Sequence, residues 1–228
     1  MRLLYNLVVY LLQIPVAVYW FGRGLANSSY RDRVGQRFGR GYPNLERCIW
    51  VHAVSVGEVQ AAAPLVRAIK RRFPGHETLI TTVTPTGAAR VMALFGDSVT
   101  HCYIPFELPG SVDRFFESVK PELAQVMETQ NWPNLYRGCG KREIPLVLVS
   151  ARISPKSVGT YRMFLPLFRE TLSHGIIIAA QGEADAERFR SLGAGPERTW
   201  VTGNIKFDIE LPADLVARGD DIRRHVFG

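Results

Sequence analysis

Cys48-Ile49-Trp50-Val51-His52-Ala53, followed without a break by Val54-Ser55-Val56-Gly57-Glu58, decides how this chain folds. The first six residues form a short apolar run closed by a serine–glycine turn, the pattern of a strand buried on both faces. Behind the turn, residues 58–72 place their apolar side chains at helical spacing. Strand therefore leads straight into helix, and the alternation repeats down the chain. Runs at 78–83, 98–104, 123–128, 144–151, 175–180 and 199–203 read as further strands. A stretch ending at Phe95 and the segments 111–119, 132–140, 160–173 and 183–192 read as helices between them. This order predicts an α/β domain, a parallel sheet covered on both faces by helices.

Composition agrees with a packed domain. The 228 residues are 46% hydrophobic and 21% charged, which excludes a disordered chain and fits one large domain or one domain with an appendage. Cys48, Cys102 and Cys139 are an odd number without C-x-x-C spacing, so neither a disulfide framework nor a structural zinc site is expected. The net charge of +7 is uneven: residues 1–47 hold seven Arg against Asp32 and Glu46. A nucleic-acid enzyme spreads its basic residues over a binding face. Here they follow one apolar segment, and no nucleic-acid partner is expected.

That segment, residues 3–21, has no charged residue and ends in Tyr19-Trp20-Phe21. It approaches the ~20 apolar residues of a membrane span, although Asn6, Gln13 and Pro15 weaken it. Its aromatic end suits the headgroup zone, and Arg23, Arg31, Arg33, Arg37 and Arg40 beyond it suit anionic lipid. A cleaved signal peptide, leaving at Gly24-Leu25-Ala26, and a buried core helix are the competing readings. The arginines just downstream resist translocation, so the expectation is an anchor or monotopic contact with the domain on the cytoplasmic side. Residues 1–22 are then a membrane-contacting helix, 23–47 a basic membrane-proximal segment and 48–208 the domain.

Ligand groups collect where parallel strands give way to helices. Those loops carry Ser55-Val56-Gly57-Glu58, Thr84-Pro85-Thr86-Gly87, Glu128-Thr129-Gln130-Asn131-Trp132-Pro133-Asn134, Ser150 to Ser157, and Gly203-Asn204-Ile205-Lys206. Glu58 is either a helix-start acid favoured by the macrodipole or a base able to take a proton from a hydroxyl. Ala53-Val54-Ser55-Val56-Gly57 approximates a nucleophile elbow around Ser55, but the first glycine is missing and neither His174 nor His225 is well placed to serve it. Neither a dinucleotide fingerprint nor a Walker loop is present. The five histidines lack ligand spacing, so no metal or other cofactor is expected. Glu128 beside Trp132 suits a sugar, and Lys206 adds a cation to the same edge.

Taken in order, His52-Ala53-Val54-Ser55-Val56-Gly57-Glu58, Thr82-Val83-Thr84-Pro85-Thr86-Gly87, Met127-Glu128-Thr129, Trp132-Pro133-Asn134-Leu135 and Gly203-Asn204-Ile205-Lys206-Phe207-Asp208 resemble the N-terminal half of the 3-deoxy-D-manno-octulosonic acid (Kdo) transferases of lipopolysaccharide synthesis. The resemblance spans most of residues 1–208. It implies a GT-B glycosyltransferase with two Rossmann-like domains, of which this chain supplies the N-terminal, acceptor-binding one. It implies transfer of Kdo from CMP-Kdo to the lipid A precursor at the cytoplasmic face of the inner membrane, without a metal. It assigns Glu58 as general base and Glu128 and Lys206 as transition-state stabilisers. Ser55, Gly57, Thr84, Thr86, Arg31 and Arg33 become acceptor-binding candidates.

Three departures qualify the match. Gln130 stands where the family pattern has a second Glu, and Pro155 where it has an acid. The chain also ends at Gly228, so 209–228 reads as the start of an interdomain linker and the CMP-binding domain as absent. On that reading the chain alone is inactive. The alternatives are a non-catalytic remnant that still binds lipid A or membrane, and the hydrolase using Ser55.

Overall fold

In the computed structural model, described over residues 2–130, 132–163, 165–173, 175–208 and 223–225, seven parallel strands form one sheet among the described residues. They are β1 (Cys48–His52), β2 (Glu77–Thr82), β3 (Thr100–Tyr103), β4 (Pro121–Met127), β5 (Leu146–Ala151), β6 (Ile177–Ala180) and β7 (Thr199–Val201). The helices are α1 (Arg2–Ala26), α2 (Val34–Arg37), α3 (Val56–Arg72), α4 (Pro85–Phe95), α5 (Pro109–Val119), α6 (Pro133–Lys141), α7 (Pro155–Met163), α8 (Leu165–Leu172) and α9 (Glu183–Ser191). The predicted α/β class and the N-terminal apolar helix are both present.

Strand order is β3-β2-β1-β4-β5-β6-β7. The chain builds outward from β1 in one direction and returns to β1's other side with β4. That reversal opens a crevice at the carboxyl ends of β1 and β4, the place where open α/β sheets bind ligands.

Side chains of β1 alternate between two cores, as the two-residue period of a strand requires. Cys48 and Trp50 join the core under α5, α6, α8 and α9, while Ile49 and Val51 join the core under α3 and α4. Trp50 is fully buried, its indole N–H donates to Thr81 Oγ1 at 2.8 Å, and its ring meets Phe115 edge-on at 5.1 Å. On α6, Gly138 lies against this aromatic cluster. A Cβ there would enter the Phe116 ring and lie 3.2 Å from Val112 Cγ1. Gly138→Ala therefore overpacks the core, and the loss of about 1–3 kcal/mol outweighs the gain in helix propensity. Chemical denaturation should read it as a lower midpoint with an unchanged slope.

Several boundaries differ from the expectation. The helix predicted at 160–173 is two helices, α7 and α8, with α7 starting at Pro155, where proline suits a first turn. The strands predicted at 98–104 and 144–151 are trimmed to β3 and β5, because Gly96–Ser98 forms a 3-10 turn and the chain enters β5 only after Pro145. The reading of α1 as a core helix is overturned: its apolar face is exposed from Leu3 to Phe21. Asn131, His174 and the expected linker at 209–222 and 226–228 lie outside the described residues.

The basic segment does not stand apart from the domain. Gln36 and Arg37 are buried, and Leu45 belongs to the larger core. The Gln36 side-chain Oε1 accepts from the Tyr103 amide at 2.8 Å, and Arg37 donates to the Val83 carbonyl at 2.8 Å. The Arg37 guanidinium also stacks 3.6 Å from the Trp20 ring of α1 and 4.6 Å from Tyr103. Burial pulls its pKa down to about 10, so it stays cationic at neutral pH and keeps both ring contacts.

Candidate functional site at the switch point

Glu58 occupies the first turn of α3, directly behind β1. Ser55 caps that helix by accepting from the Glu58 amide at 3.3 Å. The carboxylate reaches back, accepting from the Val54 amide at 2.8 Å and from the Ser55 hydroxyl at 3.3 Å. This is a close variant of the capping box, and it explains why Ser-x-x-Glu starts a helix here. Glu58 has a second property: the residue is only 9% exposed. Burial pushes its pKa above the ordinary carboxylate value, and the nearby charge of Glu128 adds to the rise. A carboxylate so placed is a stronger base than a solvated one.

Glu128 lies across the crevice, just past β4. Its backbone has φ +56°, a left-handed conformation that a non-glycine residue adopts at a cost, and Ser150 near the end of neighbouring β5 has the same φ. Strain of this kind concentrates at functional edges. The Glu128 carboxylate accepts from Lys206 Nζ at 2.7 Å and has Arg152 Nε 3.8 Å away.

Lys206 arrives from far off. β7 is the edge strand, yet the 3-10 turn Ile205–Asp208 after it returns along the carboxyl edge, and Ile205 packs on the core under α3. Asn204 Oδ1 accepts from the Lys206 amide at 3.0 Å and approaches Ser150 Oγ at 3.4 Å. Lys206 lies close enough to Glu58 to oppose the rise of its pKa. Glu58, Glu128 and Lys206 thus share one crevice, with a polar hollow of about 570 Å³ beside Glu128 lined by Thr129, Arg152, Ser154 and Ser157.

The remaining candidates divide. Gly57 sits in the first turn of α3, with no atom other than its neighbour's Ser55 Oγ within reach of a Cβ. Thr84 caps α4, accepting from the Gly87 amide at 3.1 Å, and its hydroxyl meets Thr86's at 3.1 Å. All three lie at the same carboxyl edge. Arg31 and Arg33 flank its β3 end. Arg33 is engaged inward: it donates to the His101 carbonyl at 2.8 Å, bonds His101 Nδ1 at 3.1 Å and pairs with Asp32 at 3.0 Å. Arg31 is exposed and borders an apolar groove of about 490 Å³ beside Trp20 and Phe106. Burial holds the pKa of His52 near 4, and burial with Arg33 holds that of His101 near 3, so both rings are neutral and structural.

Arg152 and Asn204 were absent from the candidates read from sequence. Arg152 follows β5 in a motif that departs from the family pattern, and Asn204 precedes the lysine. Only the strand order brings Arg152 to Glu128 and Asn204 to Ser150.

The sheet edge can be compared with known proteins. Residues 32–209 match the model of the 3-deoxy-D-manno-octulosonic-acid transferase (kdotransferase) family. The chain belongs to that family. The 3-deoxy-D-manno-octulosonic acid transferase of Haemophilus influenzae is 41% identical over 198 residues, 85% of this chain and 46% of that protein. The Bordetella pertussis transferase is 36% identical over 79% of this chain and 42% of its own length. The chain therefore spans about half the length of these curated relatives. Among solved structures, the UDP-GlcNAc 2-epimerase of Neisseria meningitidis superposes with a TM-score of 0.54 at 15% identity, over 78% of this chain and 51% of that one. That likeness is one of fold, a Rossmann-like half of a two-domain GT-B architecture. Membership of the transferase family displaces the reading of Ser55 as a hydrolase nucleophile, and Ser55 is engaged as the cap of α3.

Proposed function

We propose that this chain is the acceptor-binding half of a glycosyltransferase that moves Kdo from CMP-Kdo to the lipid A precursor in lipopolysaccharide synthesis. The observation that carries the proposal is the buried Glu58 carboxylate facing the Glu128–Lys206 pair across the switch point. Residues 48–208 form the acceptor domain, and the donor nucleotide belongs to a second domain, since the relatives are about twice as long.

Glu58 takes the proton of the acceptor hydroxyl as the new glycosidic bond forms, because a neutral hydroxyl is otherwise a weak nucleophile. The departing Kdo gains oxocarbenium character, which the fixed Glu128 carboxylate stabilises. Lys206 offsets negative charge on the CMP phosphate or on the sugar's own carboxylate. Ser55, Gly57, Thr84 and Thr86 line the acceptor's approach. Arg31, with its charge at the rim of an apolar groove, meets an acceptor phosphate, while Arg33 orders the segment that presents it. The apolar helix and the basic residues behind it hold the enzyme at the cytoplasmic face of the inner membrane, where the acylated acceptor resides.

The test is transfer of labelled Kdo from CMP-Kdo to a tetra-acylated lipid A precursor, with this chain joined to the remaining half of the Haemophilus relative. Turnover supports the reading, and a folded chimera without turnover opposes it. The pH profile is a second check. A base must be deprotonated to act, so the rate falls as pH drops through the Glu58 pKa. Burial raises that pKa, so the acidic limb of kcat/KM lies above the ordinary glutamate value of about 4.3. A limb at or below that value would contradict the assignment.

A further inference from the structure

The residues of α1 divide between two environments with helical period. Arg2, Tyr5, Asn6, Gln13, Trp20 and Gly24 lie on the side turned toward the domain. Leu3, Leu7, Leu11, Ile14, Val18 and Phe21 lie on the other and are 55–85% exposed. Every charged or amide side chain between residues 2 and 22 is on the inner stripe. The stripe is also bonded to the domain at both ends. Near the start, Arg2 pairs with Glu170 at 2.9 Å, the Tyr5 hydroxyl donates to the half-buried Glu107 carboxylate at 2.9 Å, and Asn134 Nδ2 donates to Asn6 Oδ1 at 2.9 Å. Near the end, Trp20 is stacked under Arg37 at 3.6 Å and against Phe106. At a rise of about 1.5 Å per residue, these attachments lie about 27 Å apart along the helix, so α1 is laid lengthwise on the domain.

By length and hydropathy α1 is able to cross a membrane. Crossing would carry Asn6 and Gln13 into hydrocarbon, where such groups are costly. It would also strip Glu170 of its cation and Glu107 of its tyrosine. Lying flat keeps these bonds and buries the exposed leucines. Arg23 in the last turn of the helix, and Arg31 and Arg40 on the segment that follows it, are all exposed and complement acidic headgroups.

We infer that α1 is an in-plane, monotopic element: its outer face sinks among the acyl chains of an anionic phospholipid leaflet, and both of its ends stay on the domain's side of the membrane. The inference rests on the membrane placement proposed above, but it is read independently of Kdo transfer.

The experiment places single spin labels on the full chain through Leu3→Cys, Leu11→Cys and Phe21→Cys, with vesicles of phosphatidylethanolamine and phosphatidylglycerol. The native cysteines are buried. Collision with oxygen and with a polar paramagnetic agent gives the depth of each label. An in-plane helix puts all three at one shallow depth, about 5–10 Å below the headgroups. A label at position 11 near the bilayer centre, with those at 3 and 21 at the two surfaces, would show a span and overturn the inference. Three labels in water would overturn both it and the membrane placement, leaving the transfer assay to judge the catalytic reading separately. Circular dichroism of each variant confirms that the domain is folded.

Discussion

Glu58→Gln lowers the rate of Kdo transfer by about a hundred- to ten-thousand-fold and leaves the domain folded. The substitution isolates the proton-accepting role. Glutamine retains an oxygen for the Val54 amide, which the native carboxylate accepts at 2.8 Å, so the start of α3 is preserved. What it loses is basicity. The loss falls on kcat, since the acceptor hydroxyl needs its proton removed only as the bond forms. The acidic limb of the pH profile disappears with it. Glu58→Ala should reduce transfer equally but also weaken the cap, by about 0.5–2 kcal/mol. Similar stability in Glu58→Gln and wild type, with transfer lost only in the variant, separates chemistry from folding.

Lys206→Ala lowers transfer by about a hundred- to a thousand-fold, the scale seen when one electrostatic stabiliser of a transition state is removed. Its effect on stability is small. The Lys206 side chain is 44% exposed, and ion pairs of that exposure contribute about 0–1 kcal/mol. A pair that joins residues 78 positions apart while adding so little stability is better explained by what it does to a bound anion. Glu128→Gln tests the other partner, and the double variant should lose less than the product of the single losses, because each charge sets the other's position. Glu128→Gly provides a contrast: it relieves the left-handed backbone at φ +56°, so stability holds or rises while transfer falls.

The sequence made the elements legible because their signals are local. The apolar run of β1, the Ser-x-x-Glu start of α3 and the Thr-Pro start of α4 each declare themselves within a few residues. Glu58, Glu128 and Lys206 were legible as residue types in the right kind of loop. Their convergence was not, because it depends on strand order. Nothing local in the run at 123–128 says that it returns to pair with β1, nor that the turn after β7 doubles back to Glu128. Arg152 was missed for the same reason. The basic segment shows the opposite limit: a count of arginines treats Arg31, Arg33 and Arg37 alike. Packing separates them, leaving Arg31 outward, Arg33 on His101, and Arg37 buried under Trp20. The break between α7 and α8 was legible but passed over: Pro166, at the second position of α8, cannot continue a helix from α7, and reading 160–173 as one helix ignores it.

The central claim is that this domain grips the acylated, phosphorylated acceptor. The most direct measurement is equilibrium binding of a tetra-acylated lipid A precursor to the chain in detergent, with CMP-Kdo as the comparison ligand and folding checked in the same sample. The account predicts saturable binding of the acceptor, weakened by Arg31→Ala, and little response to CMP-Kdo. A folded chain that binds CMP-Kdo but not the lipid A precursor, or that binds neither, would contradict it.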